Sequence, residues 1–136
     1  MAAVTNLLST STSANAVTYS TNAFTPAASS LLFAFVAASG TAATNPYLEI
    51  STQDWRRFTL ITTAVWNTSG NSLYAFIANG PVSTASAMRA FFNCSQDAAT
   101  GAIIQIGQIT GMSRVGLTAI RQIATVDSNS AASTVP

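Results

Sequence analysis

Histidine and lysine are absent from the 136 residues, and charged side chains of any kind make up only 7% of them. A soluble domain ordinarily carries about 25%. Without histidine the chain lacks the commonest general base and the commonest zinc ligand. Without lysine it can form neither a Schiff base nor a P-loop. The single cysteine, Cys94, excludes an internal disulfide framework, and a lone thiol is expected to be a buried, inert hydrophobe. Five arginines against four acids leave a net charge of +1, too little for the basic patch that phosphate binding demands, so no nucleic-acid partner is expected. The apolar runs fall far short of the roughly 20 residues of a membrane-spanning helix, so no membrane partner is expected either. Residues 1–8 lack the basic flank and apolar core of a signal peptide, which points to synthesis in a cytoplasm and use wherever its assembly goes. The sequons at Asn67 and Asn93 mean little without a secretion route.

Alanine, threonine and serine supply almost half of the chain. Seven Phe, three Tyr and two Trp accompany many β-branched residues at near-zero net charge, which is the composition of a folded chain rather than a disordered one. The length suits one domain with a real core. A surface of hydroxyls, amides and methyls can pack against neighbours without desolvating ions, so the chain is expected to belong to an assembly.

The densest apolar stretch is Ser30 to Gly40, SLLFAFVAASG. With period two, Leu31, Phe33 and Phe35 face one way and Leu32, Ala34 and Val36 the other, so both faces of this strand are expected to be covered, as at the centre of a packed sheet. Residues 1–15 hold Val4, Leu7 and Leu8 before a Ser/Thr run, and read either as a frayed terminus or as an extended arm docking on a neighbour. Ala16–Thr21 alternates as a first strand, and Pro26 breaks the pattern after it. Tyr47–Ser51 is a short strand. Arg57–Asn67 is the longest, with Phe58, Leu60, Thr62, Ala64 and Trp66 on one face, and Ser72–Ala78 returns beside it after the turn Asn67-Thr68-Ser69-Gly70-Asn71. Ala85–Asn93 reads as a strand or a short helix, with strand preferred. Ala102–Thr110 is a strand in which Gly107 marks a bulge or a close approach. Val115–Val126 fits either strand or helix, and 128–136 is a small-residue tail. The total is seven or eight short strands with frequent turns, the pattern of an all-β antiparallel sandwich or jelly-roll-like barrel spanning 16–127, preceded by the arm.

Chemistry is sparse. Glu49 and Asp54 are the one carboxylate pair close in sequence, and each sits beside a turn, where a solvated acid is ordinary. Gly111-Met112-Ser113-Arg114-Val115 begins like a nucleophile elbow but lacks its second glycine and any base. Asp127-Ser128-Asn129 lacks the glycine and distal glutamate of a calcium loop. The chain is expected to be no enzyme and to use no cofactor or metal. Trp55, Arg56 and Arg57 form the one charged cluster with an aromatic anchor, a pairing enriched at protein interfaces; the bland reading is a tryptophan half buried at a sheet corner.

The stretch Phe24 to Ser39, FTPAASSLLFAFVAAS, resembles a segment of small β-sandwich proteins of tailed bacteriophage virions, in which a Pro-Ala-Ser stretch leads into an apolar strand. Trp66 and Tyr74 on the following hairpin are compatible with it. The resemblance implies a virion structural role: a capsid decoration (cement) protein bound to the major capsid protein or other virion subunits, or a tail or fibre component. In the first role the chain is expected to be a homo-oligomer, preferably a trimer, contacting its partner through Val4, Leu7, Leu8, Trp55, Arg56 and Arg57. In the second, exposed Tyr47, Trp55 or Tyr74 would stack on a receptor glycan.

Overall fold

The computed structural model describes residues 1–40, 45–51, 56–66, 70–95 and 98–112. Eight strands run in chain order: β1 (Ala3–Thr12), β2 (Thr18–Ser20), β3 (Leu31–Ser39), β4 (Tyr47–Ser51), β5 (Arg56–Trp66), β6 (Asn71–Ala78), β7 (Arg89–Asn93) and β8 (Gly101–Thr110). All pairings are antiparallel, in the order β1-β8-β3-β6-β5-β4-β7-β2. The first strand pairs with the eighth, the second with the seventh, the third with the sixth and the fourth with the fifth. That is one long hairpin rolled up on itself, the jelly-roll connectivity. The all-β reading of the sequence is therefore correct.

The sheet curls so that its two halves face each other. Among the described residues, two pairs, Glu49–Arg57 and Ile50–Arg56, join β4 to β5 at the fold line. Across the interior, Phe92 of β7 lies 5.5 Å from the Tyr74 ring and 6.2 Å from the Phe76 ring, both on β6 in the opposite half. Leu32, Ala34 and Val36 of β3, Leu48 and Ile50 of β4, and Ile104 and Ile106 of β8 complete the core. Burying each such branched or aromatic side chain contributes about 1.5–3 kcal/mol. The open side is fastened by the bridges Ala16–Ala99 and Phe24–Met88 and by the buried Tyr19 hydroxyl, within 2.9 Å of the Ala14 carbonyl and 2.7 Å of the Ala99 carbonyl, which share its one proton.

Four expectations change. The strand at Leu31–Ser39 is central, between β8 and β6, but its outer face is closed only at Leu31, 1% exposed, and opens along the strand to Phe35, 44% exposed. Residues 3–12 are extended, yet they lie along β8 of their own chain as an edge strand, because Leu7 and Leu8 find the core there. On β5 a bulge between Leu60 and Thr62 reverses the alternation, so Phe58 and Leu60 lie on the face of buried Ala78 and Phe76, Leu60 at its open margin, while Thr62 and Ala64 lie on the other, and the single apolar face read from the sequence is split. Tyr74, read as an exposed aromatic, is fully buried in the ring cluster. The segments 115–126 and 128–136 lie outside the described residues.

Candidate interaction surface

Cross-strand register places side chains in rows over the outer face of the half formed by β1, β8, β3, β6 and β5. One row reads Ser11, Ile103, Ala37, Leu73 and Ala64; the next reads Ser9, Gln105, Phe35, Ala75 and Thr62; the third reads Asn6, Gly107, Phe33, Ile77 and Thr59. None of these fifteen residues is charged. The centre is apolar and open to solvent: Ile103 is 50% exposed, Phe35 44% and Leu73 39%. Phe33 meets Phe35 edge-on at 5.8 Å and lies across Gly107, whose missing side chain makes room for the ring. Serines, glutamine and threonines frame the patch. An exposed apolar patch with a polar frame is characteristic of a surface that another macromolecule covers.

The outer face of the other half differs. Tyr47, Glu49 and Ser51 of β4 lie beside Asn93, Phe91 and Arg89 of β7, with Arg57 of β5 opposite Glu49. Arg57 donates from Nε (3.1 Å) and Nη2 (2.8 Å) to Glu49 Oε1, and its guanidinium stacks 4.8 Å above the Tyr47 ring. Glu49 and Arg89 thus lie on this side of the sandwich, and Arg57 reaches over to it from β5 at the fold line. Being largely exposed, the ion pair contributes at most about 1 kcal/mol.

The residues expected to bind a partner are scattered. Val4 is exposed on the edge strand, while Leu7 and Leu8 are half-buried against the core. Arg56 pairs through its backbone with Ile50, and Arg57 is already engaged by Glu49 and Tyr47 of its own chain. Trp55 and Asp54 lie outside the described residues. Glu49 is held by Arg57 rather than facing a second carboxylate. The residues that matter most for the surface, Phe35, Leu73 and Ile103, were missed. The available signal was in Ala102–Thr110, where Gln105 falls on the same alternate side as Ile103, as expected for a sheet with one solvated face.

A shallow cleft of about 310 Å³ opens at one end of the uncharged face, among Ala37, Ser39, Asn71, Thr100, Gly101 and Ile103. Its walls offer hydroxyls and methyls and no titratable side chain. Among the described residues no group of His, Cys, Asp or Glu could hold a metal ion, and no helix is long and apolar enough to cross a membrane. Cys94 is buried, which pushes its thiol above the ordinary pKa and away from the reactive thiolate. Searches against protein-family models, curated proteins and solved structures return no match.

Proposed function

We propose that this chain is a structural protein of a virion, a capsid decoration (cement) protein that lays its uncharged sheet face on the shell and stabilises it through many copies. One observation carries the docking role: among the described residues the sandwich is two-sided, with Phe35, Leu73 and Ile103 in outer rows that carry no charge, Glu49 and Arg89 on the other half, and Arg57 turned toward Glu49 at the fold line between them. The virion setting is supported by the resemblance of residues 24–39 and by a jelly-roll connectivity that capsid domains share with lectins and cupins, an argument by analogy of fold.

Apolar contact contributes about 25 cal/mol per Å², reduced by the cost of ordering two bodies. A patch of this kind gives modest affinity per copy, and a shell presenting many equivalent sites turns that into firm retention by avidity. The uncharged face costs little to dry, and the charged face stays in water. In this reading the protein is not an enzyme.

The test is occupancy on shells stripped of the protein. Phe35→Ser combined with Ile103→Ser changes two half-exposed side chains, so the variant should lose some melting temperature but stay fully folded by circular dichroism at the assay temperature while bound copies fall at least tenfold. Wild-type occupancy by this variant rules out the face as the contact. Binding of free chain to saccharides on a glycan array, with none to shells, favours the tail or fibre receptor-binding role instead.

A further inference from the structure

The two edges of the eight-stranded sheet are unlike. β2 is three residues long, and the chain beyond it is held to β7 by the Thr21 hydroxyl, which accepts from the Ala90 amide at 3.0 Å, before Pro26 ends any ladder. Such an edge is blunt. β1 is ten residues long and has neither proline nor charge, and among the described residues no strand lies on its outer side. Proteins usually guard an edge of that length with lysine, proline or a covering segment.

We propose that β1 is where two copies of this chain join, strand against strand, antiparallel about a two-fold axis normal to the sheet, with Thr5 opposite Thr10, Asn6 opposite Ser9 and Leu7 opposite Leu8. The bulge dictates this register. A two-fold axis normal to the sheet keeps outer faces on the same side, and residues opposite each other must share a face. In an unbroken strand that requires the two residue numbers to sum to an even value. In β1 the extra residue between Asn6 and Leu8 shifts the alternation by one: Asn6 sits opposite Gly107 and Ser9 opposite Gln105, both outward, whereas Thr5 opposite Gln108 and Thr10 opposite Ile104 are both inward. Pairs that sum to fifteen therefore match face for face across the bulge. The same register pairs Ala3 with Thr12 and so uses the whole strand.

The chemistry of the pairs agrees. Thr–Thr and Asn–Ser are hydrogen-bonding cross-strand pairs, the two leucines meet at the axis, and no charge opposes a like charge. Each copy's extra residue is matched by its partner's, so the ladder stays in step, which an unbulged foreign strand would not achieve. The interface is closed and two-fold, where the sequence led us to expect a trimer, and it sets both uncharged faces side by side. It does not depend on the virion reading.

Asn6 and Ser9 are exposed, so both accept substitution without loss of the fold. Sedimentation velocity on the full chain should show a concentration-dependent species of twice the 14.0 kDa chain mass. Asn6→Lys with Ser9→Lys sets lysine opposite lysine twice and should weaken dimerisation about tenfold or more. Asn6→Lys with Ser9→Glu sets lysine opposite glutamate twice and should restore it, with the rescue fading at high salt. A wild-type chain that stays monomeric to its solubility limit overturns the proposal. So does an oligomer indifferent to the two lysines, or one that both double variants disrupt equally.

Discussion

Gly107 shows how one missing side chain shapes the uncharged face. A Cβ there would stand 2.2 Å from Phe33 Cζ, so the ring rests on bare backbone. Gly107→Ala should force the ring off, break its edge contact with Phe35 and cost about 1–3 kcal/mol by overpacking. In a Phe33→Ala background the same change should cost far less, and a double-mutant cycle in urea measures the coupling. Tyr19 and Cys94 act through protonation. Burial raises both pKa values, from ordinary values of 10.0 for the hydroxyl and 9.0 for the thiol. The unfolded chain therefore ionises first as pH rises. The stability these groups contribute is complete below about pH 9 and is lost as the pH climbs through 9.0 and then 10.0 toward the raised folded values. Cys94→Ala should move the onset of alkaline destabilisation upward, toward the tyrosine's range, in melts recorded across that window.

At the scale of elements, the weakest strand is held by a side chain. Thr21 donates its amide to the Ala90 carbonyl and accepts the Ala90 amide on its hydroxyl, so one residue past the end of β2 continues the ladder with a side-chain oxygen. Thr21→Val keeps the shape and leaves a buried amide without its acceptor, which should cost about 1–3 kcal/mol in chemical denaturation. The strands with strong alternation and clear turns were legible from residues alone: Tyr47–Ser51 matches β4 in full, and the hairpin of β5 and β6 lies within one residue of its expected bounds. β1 was not, because half of its ten residues are Ser and Thr and it gains a strand's geometry from β8, about a hundred residues away. Nor was the bulge in β5, which inverts the pattern partway along an otherwise regular run. The binding face was hidden for a related reason. Phe33 and Phe35 look like core residues in one dimension, and only the sheet's curl decides which of β3's two apolar sides is enclosed.

Taking the molecule as a whole, a cluster of three aromatic rings spans its two halves. Phe92 reaches from β7 to Tyr74 and Phe76 on β6. Phe92→Ala should therefore cost about 3–5 kcal/mol. Because it removes the ring between the layers, it should also separate the melting of β2, β4 and β7 from that of the other half, which hydrogen exchange by strand would reveal. The rolled-up pairing has a consequence for biosynthesis. Of the described strands β1 is translated before the others and β8, its partner in the sheet, after them, so β1 must wait for some ninety more residues to be translated. Distant pairings of this kind slow folding to milliseconds or longer. During that wait, an uncharged ten-residue strand from one nascent chain is free to meet the same strand from another on the same messenger. Low translation density, or a chaperone that shields the first dozen residues, should raise the yield of soluble protein.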